Sequence, residues 1–384
     1  MRGDVSKLII KGNILNDSFE FVNAEIKIEG EYIKDFKSSI DAYDDTVIDA
    51  SGCYVVPGFV DTHMHGAMGE EFFDCNSDSY KIIGEFEAKN GITSLVPAIS
   101  AAPREQLIKC AKYMKQLCET EIDGASKIHG VHMEGPFFNE VFKGAHSPEN
   151  IRNADINEFK EIFEACGGYL KIMTLAPELA GSQEVIEFAA KNNVVMSAGH
   201  TNATCDDIKK SVEWGVSQAT HLFNAMSPLK HREPGAVGGL LYEQNVKCEV
   251  ICDFFHVKPE VIKLVYAIKG REKINMITDS VAGAGLPDGE YAMSGKSFFV
   301  KNGESRLPDG TICGGSTCLI DGIKNLVSIG IPLADACMMA SKNPAQSAGI
   351  YDTVGSIQTG KIADIVILDK SLNIKNVILR GKMI

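Results

Sequence analysis

The chain reads as an α/β protein: a distorted (β/α)8 barrel carrying a small β-sandwich domain built from both chain ends. Three observations predict this. From residue 59 onward, eight short apolar runs alternate with helix-length amphipathic stretches. The segments before and after that alternation are strand-like, so head and tail can pair into one small domain. His, Glu and Asp fall at the ends of several apolar runs, where a parallel barrel gathers its strand termini on one face.

The head supplies strands at 7–15, 24–28 and 32–36, with Glu29-Gly30-Glu31 as the turn between the last two. Two more, at 46–49 and 54–56, run up to the punctuation of Pro57-Gly58. The eight barrel strands are predicted at 59–61, 92–97, 128–133, 170–175, 194–198, 218–222, 249–252 and 274–278. Helices are predicted between them at 79–90, 104–119, 156–165, 182–191, 204–213 and 259–268. In 104–119, Leu107, Ala111, Met114 and Cys118 share one face, and Pro103 stands where a first helical turn tolerates proline. Thr204 with Asp207 forms a capping box, Asp replacing the usual Glu, and Gly215 closes that helix. Gly, Pro and Asp clusters around a strand at 297–301 predict a hairpin inserted at 286–312. Two helices, 319–328 and 332–341, precede a strand-like tail that includes Ala363-Asp364-Ile365-Val366-Ile367-Leu368. The expected division is therefore 1–57 with 351–384 as the β-domain and 58–350 as the barrel.

Composition narrows the function. The 384 residues carry a net charge of −13, which opposes nucleic-acid binding yet permits a few local cations to hold one small anion. Hydrophobic residues make up 45% and charged residues 23%, the profile of a soluble globular protein. The eleven cysteines are scattered and contain no Cys-x-x-Cys pair, which points to a reducing cytoplasm rather than a disulfide framework. Met1-Arg2-Gly3-Asp4 leads into no signal-peptide core, and no run approaches the roughly 20 apolar residues of a membrane span.

The chemistry concentrates at strand ends. Strand one runs into Asp61-Thr62-His63-Met64-His65, whose two imidazoles, two residues apart, point the same way from an extended segment. Strand three runs into Glu134, strand five into His200, strand six into His221 and strand eight into Asp279. Glu134, His200 and His221 make a Glu-His-His set that leaves room for water on a divalent metal, as catalytic sites do. A lone histidine is more often an ordinary core or surface residue, but here that reading must hold four times, each at a strand end. His129, His132 and His231 keep the ordinary reading. Asp279 is the natural general base for a metal-activated water. Gly144-Ala145-His146, Asn224-Ala225-Met226, Arg232-Glu233-Pro234-Gly235 and Asp253-Phe254-Phe255-His256 lie in the following loops as candidate substrate contacts. Arg232 and His256 are the candidate anion binders.

Together these motifs resemble the amidohydrolase superfamily, and within it the N-acetylglucosamine-6-phosphate deacetylases. The specific strings are His132-Met133-Glu134-Gly135-Pro136-Phe137, Ala198-Gly199-His200-Thr201-Asn202-Ala203-Thr204, Thr220-His221-Leu222-Phe223-Asn224-Ala225-Met226, Thr278-Asp279-Ser280 and Gly310-Thr311-Ile312-Cys313-Gly314-Gly315-Ser316. The resemblance implies a divalent cation, zinc or iron foremost, on Glu134, His200 and His221, with Asp279 as acid and base. The retained His63 and His65 allow a second metal. Strand four ends in Leu175-Ala176-Pro177 without the lysine that bridges two metals in many superfamily members, which leaves the bridging role to Glu134. Substrate contacts carry over to Ala145, His146, Asn224, Ala225, Arg232, Asp253, His256, Ile312, Cys313 and Gly314. Cys313 departs from the small Ala or Ser of the pattern. A homodimer in which Arg232 reaches the neighbouring site is also implied. The expected reaction is hydrolysis of N-acetyl-D-glucosamine 6-phosphate to D-glucosamine 6-phosphate and acetate. The rivals are a cyclic-amide hydrolase or deaminase, and a non-catalytic barrel scaffold.

Overall fold

A computed structural model describes residues 7–42, 45–293 and 296–384. Eight parallel strand positions run around the barrel, in two sheets rather than one. The first strand, Phe59–Asp61, pairs with Ile92–Leu95, which pairs in turn with Lys127–Ile128. The larger sheet starts at Ala98–Ser100 and continues through Val131–Glu134, Leu170–Leu175, Val195–Ala198, Val216–Ala219, Lys247–Ile251 and Ile274–Ile277. Strands two and three are thus each broken in the middle. The break in strand two falls at Val96-Pro97, where the proline has no ladder donor to offer.

Closure between strands eight and one comes just past their ends. The Asp279 N–H donates to the His63 carbonyl at 2.8 Å, and the His65 N–H donates to the Ser280 carbonyl at 2.7 Å. The Thr278 hydroxyl adds a 2.5 Å bond to the buried Asp61 carboxyl. The seam therefore sits on the same face as the candidate site.

The outer helices form where periodicity predicts them. Leu107, Cys110, Ala111 and Met114 of Arg104–Cys118 are fully buried against the barrel, each larger side chain contributing roughly 1.5–3 kcal/mol by leaving water. The capping box is present: the Asp207 N–H donates to Thr204 Oγ1 at 3.2 Å, and the Thr204 N–H to Asp207 Oδ2 at 2.9 Å. One helix, Gly235–Tyr242, stands where the sequence reads as loop. It is apolar all round and buried apart from Tyr242, so it shows no amphipathic period, and its glycines read as breakers. Packing selects them: a Cβ on Gly239 would lie 2.9 Å from Ile208 of the neighbouring helix, Cys205–Trp214.

Head and tail join in one continuous seven-stranded sheet. Its order is Lys382–Met383, Ile374–Leu379, Ile365–Leu368, Thr46–Pro57, Lys7–Leu15, Phe21–Glu29 and Tyr32–Lys37. The tail strand Ile365–Leu368 lies antiparallel to Thr46–Pro57, Ile367 facing Val55. Thr46–Pro57 is one long strand where two short ones were expected; a register shift at Gly12/Asn13 absorbs the irregularity. Ile10, Ile26, Val55, Ile365 and Ile378 form a core separate from the barrel's.

The predicted hairpin is larger than expected. Gly289–Met293, Lys296–Lys301, Glu304–Arg306 and Ile312–Gly315 build a four-stranded antiparallel sheet. Among the described residues no helix is long and apolar enough to cross a membrane, and the eleven cysteines are all free.

Candidate metal centre

Three of the key side chains occupy the second residue past a barrel strand: His200 after Ala198, His221 after Ala219, Asp279 after Ile277. All three have positive φ, 48°, 29° and 50°. Non-glycine residues rarely adopt this conformation; it costs on the order of 1–3 kcal/mol each and persists only where the surroundings enforce it. Here three independent strand ends adopt it at the same point of the barrel.

Glu134 stands in the middle of the cluster. Its Oε1 lies 3.1 Å from His221 Nε2, 3.2 Å from His200 Nε2 and 3.3 Å from His63 Nε2. Its Oε2 lies 3.3 Å from His65 Nε2 and 3.5 Å from His146 Nε2. Asp279 Oδ1 is 3.4 Å from His63 Nε2 and 3.3 Å from His65 Nε2. The Nε2 atoms of His200 and His221 approach to 3.1 Å. A tetrahedral ion with Zn–N bonds of about 2.0–2.1 Å sets its ligands about 3.3–3.4 Å apart. Among the described residues three groups of donors gather within 4.8 Å: Glu134, His200 and His221; His63, His65 and Asp279; and His63, His132 and Glu249, in which the His132 nitrogens are already engaged with Thr62 and Thr174.

The outer ring nitrogens explain why the inner ones face inward. His63 Nδ1 meets Glu249 Oε2 at 2.9 Å, His200 Nδ1 meets the Phe142 carbonyl at 2.9 Å, and His65 Nδ1 meets Ser100 Oγ at 3.2 Å. A proton held at Nδ1 leaves an Nε2 lone pair for a cation. His63 Nε2 is buried and makes no hydrogen bond, although carboxylate oxygens of Glu134 and Asp279 stand 3.3 and 3.4 Å away. The Phe138 ring stacks on His200 at 4.3 Å.

The electrostatics favour positive charge at the centre. Burial disfavours protonated His63, but Glu249, Asp279 and Glu134 outweigh it and raise its pKa well above the ordinary value. The same balance of burial against Asp279 and Glu134 raises His65 to about 10. Burial pushes the carboxyls of Glu134 and Asp279 up, yet His63 and the surrounding imidazoles hold both below the usual range. Burial takes His200 down to about 4, leaving it neutral and able to ligate. Protons on His63 and His65 thus supply charge that a divalent cation can supply instead, and the donor set fits such an ion.

A cavity of about 510 Å³ opens above the cluster, with His65, Glu134, His200, His221 and Asp279 on its floor. Ala145, His146, Asn224, Ala225, His256, Ile312, Cys313 and Gly314 line it. The inserted sheet contributes Ser297 and Phe298 as well, which sequence reasoning missed. Asp253 does not line it; buried, it holds His256 Nδ1 at 2.6 Å. Arg232 also stands outside the lining, on an exposed loop. His132 spends both ring nitrogens, on the Thr62 carbonyl at 3.0 Å and Thr174 Oγ1 at 2.7 Å. His129 pairs with Ser94 Oγ at 3.1 Å. Glu249 was missed too; its only sequence signal is a carboxylate inside the apolar run Cys248-Glu249-Val250-Ile251.

Known proteins share this architecture. The chain is 33% identical over 333 residues to N-acetylglucosamine-6-phosphate deacetylase of Bacillus subtilis, covering 86% of this chain and 84% of that one. It is 32% identical over 328 residues to N-acetylgalactosamine-6-phosphate deacetylase of Escherichia coli O157:H7, with 85% and 86% covered. A mutant N-acetyl-D-glucosamine-6-phosphate deacetylase from Mycobacterium smegmatis, solved in complex with N-acetyl-D-glucosamine-6-phosphate, superposes with a TM-score of 0.92 at 28% identity, covering 98% of this chain and 99% of that one. The Thermotoga maritima enzyme superposes at 0.85 with 31% identity, covering 99% and 98%. The amidohydrolase sequence profile matches residues 54–384, and the chain belongs to the amidohydrolase family.

Proposed function

We propose that the chain hydrolyses N-acetyl-D-glucosamine 6-phosphate to D-glucosamine 6-phosphate and acetate, in the breakdown and recycling of amino sugars in the cytoplasm. The observation that carries the reading is the convergence of Glu134, His200, His221 and Asp279 beneath a single cavity. Deacetylase relatives that cover most of the chain support it.

In this reading Glu134, His200 and His221 hold a divalent cation, zinc or iron foremost, and His63 and His65 hold a second where two are bound. When bound, the metal supplies a water acidic enough to ionise near neutral pH and polarises the amide carbonyl. Asp279, held as a carboxylate, takes one proton from the attacking water and delivers it to the amide nitrogen as the C–N bond breaks. The water oxygen keeps the new C–O bond and departs in acetate, and the water's second proton passes to the sugar amine, which leaves as the ammonium. His146 supports the carbonyl or a sugar hydroxyl, and Asn224, Ala145 and Ala225 shape the sugar site. Ile312, Cys313 and Gly314 bound the acetyl side. His256 faces the phosphate with its Nδ1 fixed on Asp253. Arg232 meets the phosphate of a neighbouring subunit in a homodimer, which accords with its exposure outside its own cavity.

The test is acetate release from purified, metal-assayed protein. The 6-phosphate of N-acetylglucosamine is expected to turn over far faster than the unphosphorylated sugar. Failure to release acetate from either epimeric sugar phosphate overturns the reading. A clear preference for N-acetylgalactosamine 6-phosphate keeps the chemistry and reassigns the sugar, the alternative that the Escherichia coli relative raises.

A further inference from the structure

Glu249 lies in the seventh barrel strand, Lys247–Ile251, and is completely buried. It lines no part of the cavity, so it cannot touch substrate. A buried carboxylate costs several kcal/mol unless its oxygens are fully engaged. Here both accept. Oε2 takes the His63 Nδ1–H at 2.9 Å and the His221 backbone N–H at 3.3 Å, and Oε1 takes the Gln218 side-chain amide at 2.8 Å. Gln218 is held in turn by Asn275 Nδ2 at 3.0 Å, and Asn275 Nδ2 reaches Ser347 Oγ at 2.9 Å. A polar chain through strands six, seven and eight thus locks the carboxylate in place.

We infer that Glu249 is a positioning residue, which fixes His63 with its proton on Nδ1 and its Nε2 turned toward Asp279 and Glu134, and so builds the second cation site. The inference rests on the proposed role of His63 and His65 as ligands. Both Glu249 oxygens already accept, from Gln218 and from the His221 N–H, so Oε2 accepts the His63 Nδ1–H rather than donating to that nitrogen; this excludes the neutral tautomer with its proton on Nε2 and makes Nε2 a stronger donor toward a cation. The effect is selective. His200 has a backbone carbonyl on its outer nitrogen instead, and His221 Nδ1 is buried without a partner. Glu249 reaches the Glu134, His200 and His221 set only through the His221 backbone N–H, at 3.3 Å, so removing its charge weakens the His63 and His65 site far more than that one.

The experiment strips full-length protein of metal with a chelator and titrates it with Co²⁺, following the visible absorbance of bound cobalt and its stoichiometry. The parent is expected to take two ions and His63→Ala one. Glu249→Gln, isosteric and still able to accept from His63, is expected to take two, the second with roughly 10–100-fold weaker affinity. Parental affinity for the second ion in Glu249→Gln overturns the inference alone. Equal stoichiometry in the parent and His63→Ala overturns the ligand role beneath it, and the inference with it. If Glu249→Gln does not fold, Gln218→Met, which removes the amide on Oε1 together with the acceptor for Asn275, is expected to weaken the second ion several-fold; unchanged affinity there overturns the inference.

Discussion

Asp279→Asn separates the proposed proton transfer from everything else that residue does. Asp279 sits at φ 50°, a conformation that Asn tolerates as readily as Asp, so the strand end need not move. Its backbone contacts are independent of the side chain: the N–H donates to the His63 carbonyl at 2.8 Å, and its carbonyl accepts from Gly315 at 2.7 Å. The amide keeps the size of the carboxyl and one acceptor oxygen but cannot take a proton. Positioned general acid–base help is worth about 10²–10⁴ in rate, or about 2.7–5.4 kcal/mol of barrier at about 1.36 kcal/mol per decade. The expected outcome is a kcat lower by that factor, with KM and the cation on Glu134, His200 and His221 close to parental values. Acetate release under saturating substrate, paired with elemental analysis of the same preparation, measures both. A kcat within a few-fold of the parent at full metal occupancy refutes the assignment. A fall in kcat that merely tracks lost metal makes Asp279 a ligand and moves the base elsewhere.

Other outcomes follow from the same geometry. Mixing inactive Asp279→Asn subunits with Arg232→Ala subunits is expected to restore activity in mixed dimers, since one site then has its own Asp279 and a partner's Arg232; no recovery in verified mixed dimers sinks the trans arrangement. Gly199→Ala is expected to lose about 1–3 kcal/mol of stability in urea melts and to lower kcat, because its Cβ would stand 2.7 Å from Thr220 Cβ and 2.8 Å from Thr174 Cγ2, next to His200. Parental stability there would show that the strand ends yield more easily than their packing implies. Burial raises the Glu87 carboxyl well above its ordinary 4.5, so the folded state holds a proton that the unfolded chain releases. Stability from this group is then present below about pH 4.5 and declines as pH rises toward its folded pKa, by at most about 1.4 kcal/mol per pH unit. Glu87→Gln is expected to flatten that decline in denaturant melts taken from pH 5 to 8; parallel curves for parent and variant would contradict it.

What the sequence revealed and what it hid divide along one physical line. His200, His221 and Asp279 were legible because each breaks a local rule: a polar residue closes an apolar run, and only a barrel that gathers strand ends makes three such breaks one event. The Thr204 box and the buried face of Arg104–Cys118 were legible because their partners lie within one or a few turns. Gly235–Tyr242 was hidden because its reasons lie elsewhere, in Ile208 of another helix. The inserted sheet was underestimated because its short strands Glu304–Arg306 and Ile312–Gly315 are too brief to show alternation.

Glu249 is the sharpest case. His63 and Glu249 are 186 residues apart in sequence and 2.9 Å apart in space, and no periodicity relates positions so distant. The residues proposed to do the chemistry must expose donors to a common cavity, and so depart from the apolar pattern of their strands. The residues that hold them satisfy their polarity inside the barrel, and nothing in a single strand distinguishes such a side chain from an isolated buried charge. A lone carboxylate in an apolar strand is nonetheless costly enough to require a partner. The run Cys248-Glu249-Val250-Ile251 therefore already demanded a buried donor from another strand. The donors that meet it are the Gln218 amide, the His221 backbone N–H and the His63 ring, and of these His63 is the side chain that the strand-end pattern had selected on other grounds.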